Sequence, residues 1–396
     1  VKNRIYLDHS ATTPVDKRVV VTMNEYMLEK FGNPSSIHSF GREAKAALEQ
    51  AHDSVAALLN CSPDDVFFTS GGTEADNLAL IGGAEANRHR GDHVIVSNVE
   101  HPAVRNAADE LERRGFRITR VSADRWGEVH PEAVATAFTD QTILVSVMHV
   151  NNEVGTINDI AAIGKLTRER GVLFHSDAVQ SFGKIPLDVR AMNLDLASLS
   201  GHKIYGPKGI GALYVRHGVR LNPRFFGGHQ EHRIRPGTEN LPGIVGLGVA
   251  ADLCRKEMDA EAARLSQLRD RLYRHQCDEL EDITLNGHPT RRLPGNLNIS
   301  FRGVEGEALL MALDLEGIAV STGSACSSGS TQPSPVLLAM GLSPEDAQSS
   351  IRLTLGRANT EAEIDRTAQV IIAAVRCLRA MSGRLPENSK LITQNS

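Results

Sequence analysis

An α/β fold, with a large domain built on a mostly parallel sheet and a smaller α+β domain, is predicted by three features of the 396-residue sequence. The first two-thirds alternates short apolar runs with amphipathic stretches, the signature of buried strands separated by helices. After about residue 250 the alternation gives way to a long helical segment followed by scattered strands and helices. The length suits one large and one small domain. In order, strands are expected at Val66 to Thr69, His93 to Ser97, Ile118 to Val121, Ile143 to His149, Val172 to His175, Leu194 to Ser198 and Gly211 to Val215. Between them, Ala44, Ala47, Leu48, Ala51, Val55, Leu58 and Leu59 follow helical spacing. The later segment predicts a helix over Leu247 to Leu280, a strand over Leu297 to Phe301 and a helix over Gly306 to Glu316. A Ser/Gly-rich loop follows, then a strand over Ile351 to Leu355, a helix near Glu361 to Met381 and a polar tail from Ser382.

Composition narrows the function classes. A net charge of −5 lacks the basic footprint of a nucleic-acid binder, so no direct nucleic-acid partner is expected. No apolar run approaches the length of a membrane span, and residues 1–6 hold no signal-peptide block, so a cytoplasmic protein without a membrane partner is expected. The five cysteines are odd in number and form no C-x-x-C pair, which argues against a disulfide framework or a metal site. Four of them, Cys61, Cys254, Cys277 and Cys377, fall in or beside helical segments and read as packing or surface residues. Cys326 sits instead in Ser321-Thr322-Gly323-Ser324-Ala325-Cys326-Ser327-Ser328-Gly329-Ser330, which lacks large apolar residues. Burial does not account for a thiol there, and an exposed thiol on a loop can act as a nucleophile. An incidental loop cysteine is the competing reading.

Several strand-to-loop junctions carry polar chemistry. Lys203 follows a strand in Ser198-Leu199-Ser200-Gly201-His202-Lys203 and precedes a Gly-rich turn, the setting of a candidate Schiff-base lysine. Asp177 follows, in Ser176-Asp177-Ala178-Val179-Gln180, the strand expected over Val172 to His175. A carboxylate at a sheet's C-terminal edge is well placed to keep a pyridine nitrogen protonated, although it reads equally as a helix cap. Thr69-Ser70-Gly71-Gly72-Thr73-Glu74 joins a strand to a helix and suits a phosphate, or an ordinary capped helix start. His101, in Glu100-His101-Pro102, is a candidate for ring stacking and proton transfer, against a structural role. Asn152, in Asn151-Asn152-Glu153-Val154-Gly155, offers an amide to a cofactor or substrate, against plain turn chemistry. Arg352 lies inside an apolar strand and needs an anion. A substrate carboxylate and an internal salt bridge satisfy it equally well.

Taken in order, these segments resemble the cysteine desulfurases of the NifS/IscS type, within the class V aminotransferases. The resemblance runs from Tyr6-Leu7-Asp8-His9-Ser10-Ala11-Thr12-Thr13 through Gly356-Arg357 and includes Arg235-Pro236-Gly237-Thr238-Glu239-Asn240. It implies the fold type I architecture of pyridoxal 5′-phosphate (PLP) transferases. Residues 13–250 would form the large PLP-binding domain, and residues 1–12 with 251–396 the small domain carrying the cysteine loop. It implies that Lys203 holds the PLP aldehyde, Asp177 pairs with the pyridine nitrogen, His101 stacks on the ring and Gln180 meets the ring's phenolic oxygen. Thr73, Ser200, His202 and the Gly72 backbone would bind phosphate. Thr238 would reach the phosphate of the other subunit of a homodimer. Asn152 and Arg352 would orient L-cysteine, and Cys326 would carry its sulfur as a persulfide to an acceptor such as an Fe–S scaffold or a tRNA-thiolation protein. Selenocysteine lyase, a small-amino-acid transaminase and a non-catalytic scaffold are the rival readings. The last two leave Cys326 without a use.

Overall fold

The computed structural model describes residues 4–322 and 332–382. Cys326 and its neighbours lie outside the described residues. The twelve strands are β1 (Ile5–Tyr6), β2 (Val66–Thr69), β3 (His93–Ser97), β4 (Arg117–Val121), β5 (Thr142–Ser146), β6 (Leu173–Asp177), β7 (Leu196–Ser200), β8 (Gly211–Val215), β9 (Ile283–Asn286), β10 (Asn296–Phe301), β11 (Ile318–Ala319) and β12 (Ser350–Thr354). The helices that frame them include α1 (Lys17–Leu28), α2 (Ser39–Leu59), α3 (Gly72–Asn77), α4 (Pro102–Arg113), α5 (Ile160–Arg170), α6 (Leu241–Glu279), α7 (Gly306–Leu315) and α8 (Glu361–Met381).

Seven strands form the central sheet in the order β2-β8-β7-β6-β5-β3-β4. β8 runs antiparallel to both β2 and β7, and the remaining neighbours are parallel. The strands are buried on both faces, so their apolar residues run almost without interruption. Alternate residues serve two cores. Ile95, Val145, Phe174 and Ala197 join one, and Val94, Leu144, Leu173 and Leu196 join the other. This is the α/β architecture with a mostly parallel sheet that the alternating pattern predicted.

A third core lies beyond residue 250. It is built on the antiparallel sheet β12-β10-β9 and helices α7 and α8, with Ile5 and Leu7 from the N-terminus. Helix α6 serves both regions, with Leu247, Ala250 and Cys254 in the large core and Leu265, Leu268 and Leu272 in the small one. It starts six residues before the expected Leu247 because Asn240 caps it, accepting from the Gly243 amide at 3.3 Å. The N-terminal segment links the two regions. β1 pairs with β11, and a few residues later Thr13 donates its amide to the His202 carbonyl at 2.9 Å.

Several strand boundaries differ from the periodic pattern, and two of them, in β5 and β7, have a clear local cause. β5 ends at Ser146 rather than His149, and the Met148 amide turns to the Glu100 carboxyl at 2.8 Å. β7 begins at Leu196 rather than Leu194, because the Leu194 amide closes a turn onto the Val189 carbonyl at 2.9 Å. Apolar residues continue through both turns, so hydropathy alone does not mark the ends.

Candidate active site

The C-terminal ends of β6 and β7 bring the principal side chains together. Asp177 is the last residue of β6 and is 5% exposed. One of its oxygens accepts the Val179 amide at 2.9 Å. His101 caps α4, with Nδ1 accepting the Ala103 amide at 3.2 Å. Ligand atoms of Asp76, His101 and Asp177 lie within 4.8 Å of one another. Burial raises the Asp177 pKa, and the His101 ring and the Lys203 ammonium oppose that rise. Burial lowers the pKa of His101.

Lys203 ends the tight turn that follows β7. Its Nζ donates to two carbonyls of the N-terminal segment, Ser10 at 2.5 Å and Ala11 at 2.7 Å. The amine is thus held between the chain's first residues and the central sheet. Beside it, Gln180 donates its Nε2 to the same Ser10 carbonyl at 3.0 Å.

A polar cleft opens where the turn after β2 meets the turn after β7, lined by Thr12, Gly72, Thr73, Ser200, His202 and Lys208 among others. Gly72 is required by the close approach of β6's following turn, since a Cβ there would lie 2.7 Å from a Val179 methyl. His202 Nδ1 lies 3.1 Å from the Thr12 hydroxyl. Burial and then the positive charges of Lys203, Lys208 and Lys184 push His202 down to about 4, so at neutral pH it is an uncharged imidazole.

Arg352, on β12, is 3% exposed. Its Nη2 pairs with Asp8 at 2.8 Å and its Nη1 donates to the Asn152 carbonyl at 3.0 Å. Its Nε and the Asn152 side-chain oxygen are both buried without a hydrogen-bond partner. The internal salt bridge and an unused donor therefore coexist in one guanidinium. Thr238 is exposed on the segment that precedes α6.

Sequence patterns missed part of the site. The Ser10 and Ala11 carbonyls, which fix Lys203, are backbone groups some 190 residues away. Asp76 and Glu100 are buried carboxyls beside Asp177, and nothing in their spacing marks them. Burial pushes Glu100 up to about 8, and Asp177 repels it further. Asp76 is raised for the same two reasons.

The donor set fits PLP. A buried carboxylate suits a pyridinium nitrogen, a held amine suits an aldehyde, and hydroxyls with backbone at a glycine suit a phosphate. The family description Aminotransferase class-V matches residues 5–367. A protein named Cysteine desulfurase IscS from Methanosarcina thermophila is 47% identical over 388 residues, which is 98% of this chain and 96% of that one. Among solved structures, a NifS-like protein superposes with a TM-score of 0.88 at 37% identity, covering 94% of this chain and 99% of its own. SspA in complex with cysteine superposes with a TM-score of 0.80 at 36% identity, covering 89% of this chain and 99% of its own. With a family match over residues 5–367 and a relative 47% identical over 98% of the chain, the chain belongs to the class V aminotransferases.

Proposed function

We propose that the protein is a PLP-dependent cysteine desulfurase, which converts L-cysteine to L-alanine and passes the sulfur on as a persulfide. The observation that carries this reading is the convergence of the Lys203 amine and the buried Asp177 carboxylate on one sheet edge. Residues 13–250 would form the PLP-binding domain, and residues 1–12 with 251–396 the small domain.

Lys203 would hold the cofactor and Asp177 would keep its ring nitrogen protonated. His101 would lie on the ring and Gln180 would face its phenolic oxygen. Gly72, Thr73, Ser200 and His202 would hold the phosphate, with Thr238 of a second subunit completing it. When bound, PLP supplies an electron sink conjugated to the substrate's Cα. Lys203 Nζ takes the Cα proton once substrate has displaced it. Arg352 would grip the α-carboxylate with its buried, unpartnered Nε, and Asn152, whose buried Oδ1 can only accept, would help orient the substrate. The Cys326 thiolate attacks the substrate sulfur. The Cβ–S bond would break with its electron pair left on carbon, Cβ would gain a proton, Lys203 would return one to Cα, and alanine would leave with Cys326 as the persulfide. A protein acceptor in the cytoplasm, either an Fe–S scaffold or a tRNA-thiolation protein, would take the sulfur.

Cys326→Ser tests the reading. A hydroxyl too basic to ionise at neutral pH replaces the soft nucleophile. This variant should retain PLP and change its visible spectrum on adding L-cysteine, yet release no alanine and carry no persulfide. Single replacements of Cys61, Cys254, Cys277 and Cys377 should leave desulfuration intact. Near-normal alanine with transferable persulfide from Cys326→Ser would defeat the proposal.

A further inference from the structure

Lys184 lies in the turn after β6, seven residues beyond Asp177. It has no place in the mechanism above. It lines an enclosed cavity between the large and small cores, together with His9, Tyr205, Cys254 and Glu261. Its Nζ donates to Gln180 Oε1 at 3.2 Å. Glu261, the acid that attracts it, is already engaged by Arg357 Nε at 3.1 Å and by the Tyr205 hydroxyl at 3.2 Å.

The donor logic fixes the orientation of the Gln180 amide. An ammonium has only donors and a backbone carbonyl only accepts. Lys184 on one side and the Ser10 carbonyl on the other therefore impose the same placement, with oxygen towards Lys184 and nitrogen towards Ser10. The amide nitrogen carries two hydrogens, and Ser10 takes one. The second remains for the site, beside the Ser10 carbonyl that also holds Lys203. Gln180 is 5% exposed, so no bulk solvent competes for that hydrogen. A flipped amide would instead present an oxygen lone pair to an anionic ring oxygen, which repels it.

We propose that Lys184 is a positioning residue, which locks the Gln180 carboxamide so that its free N–H is presented to the phenolic oxygen of the bound cofactor. This deepens the PLP reading above and rests on it. Lys184 also places a second cation near Lys203, and burial with that neighbouring charge pushes Lys184 down to about 7. Both protonation states keep an N–H for Gln180, and in the neutral state, where the amine could also accept, the Ser10 carbonyl still fixes the amide's orientation. The charged groups around Lys184 are Lys203 and Arg352, which repel it, and Glu261, which attracts it. His9 is held neutral, pushed down to about 4 by burial first and by Lys184 second.

The test is a pH titration of the visible absorbance of the PLP-loaded protein. Lys184→Met keeps the aliphatic stem and removes the donor. The midpoint of the chromophore's titration should rise by about one unit, the order expected when the amide donor to an anionic oxygen is no longer held in place. Lys184→Arg keeps a donor and should return the midpoint towards wild type. Gln180→Met should produce a shift of its own, and the double variant Lys184→Met/Gln180→Met should add little to it, because the lysine acts through the amide. A wild-type midpoint in folded, loaded Lys184→Met overturns the proposal, and so do fully additive shifts. If Lys184→Met does not fold, Lys184→Leu replaces it in the same cycle. A wild-type protein that takes up no PLP chromophore would instead sink the cofactor reading itself, so the two failures are distinguishable.

Discussion

Three carboxyl groups, Asp76, Glu100 and Asp177, are each at least 95% buried at one sheet edge, and they cannot all be ionised together. Glu100 accepts from the Ser97 hydroxyl at 2.5 Å and the Met148 amide at 2.8 Å, while its second oxygen is buried without a partner. Its pKa is raised from 4.5 to about 8 on folding, mainly by burial. Between those values the folded chain holds a proton that the unfolded chain has released. Stability from this group is therefore fully present below about pH 4.5 and is lost as pH rises through about 8. Glu100→Gln imitates the protonated form and cannot lose that proton. In thermal melts of the PLP-free protein, the variant should gain on wild type steadily as pH rises through this window. A difference that stays constant with pH would mean that Glu100 does not change protonation on folding. At this scale the sequence revealed the groups that stand in short local motifs: Lys203 in its Ser/Gly/His turn, Asp177 at a strand end, His101 before a proline. It did not reveal Glu100, Asp76 or Lys184. Their roles arise from burial and from partners brought close by strand order, and no local spacing records either.

The elements were largely readable because a buried parallel strand leaves a continuous apolar run and a covering helix leaves a 3.6-residue one. β3 and β8 fall where the runs predict, and α8 spans the full periodic segment. What the pattern does not carry is order and direction. Nothing local in Gly211–Val215 says that β8 inserts antiparallel between β2 and β7. Close approaches are equally silent, and α5 shows the consequence. Gly164 sits in the helix interior, where alanine is normally better by up to about 1 kcal/mol. Here a Cβ would lie 2.0 Å from the Met192 carbonyl oxygen, and a backbone atom cannot swing aside as a side chain would. Overpacking of this kind costs about 1–3 kcal/mol, enough to outweigh the propensity gain. Gly164→Ala should therefore lower the melting temperature. An increase would show that the turn carrying Met192 yields freely.

At the scale of the whole molecule, the N-terminal segment and α6 tie the large and small cores together, and no helix among the described residues is long and apolar enough to cross a membrane. Yet the surface exposes large apolar side chains that neither core uses. On α1, Val21 is 63% exposed and Leu28 75%, and their seven-residue spacing puts them on one face. In the loop that follows, Ile37 is 92% exposed, and Phe31 stacks on Phe40 at 5.8 Å with both exposed. Phe226 is 89% exposed on the segment leading to Thr238. Large apolar groups left in water at this density mark an interaction surface. A second copy of the chain is the occupant that would also give the exposed Thr238 a function, at the partner's phosphate site. The protein should therefore sediment as a dimer at micromolar concentration. Leu28→Glu combined with Ile37→Glu should shift it towards monomer without unfolding it, since neither side chain supports a core. Retention of PLP should fall in step with dissociation, because each phosphate site would lose the hydroxyl supplied by the partner. A wild-type monomer that keeps its PLP would refute the shared site. A dissociated variant with unchanged PLP affinity would leave the dimer standing and remove Thr238 from the phosphate site.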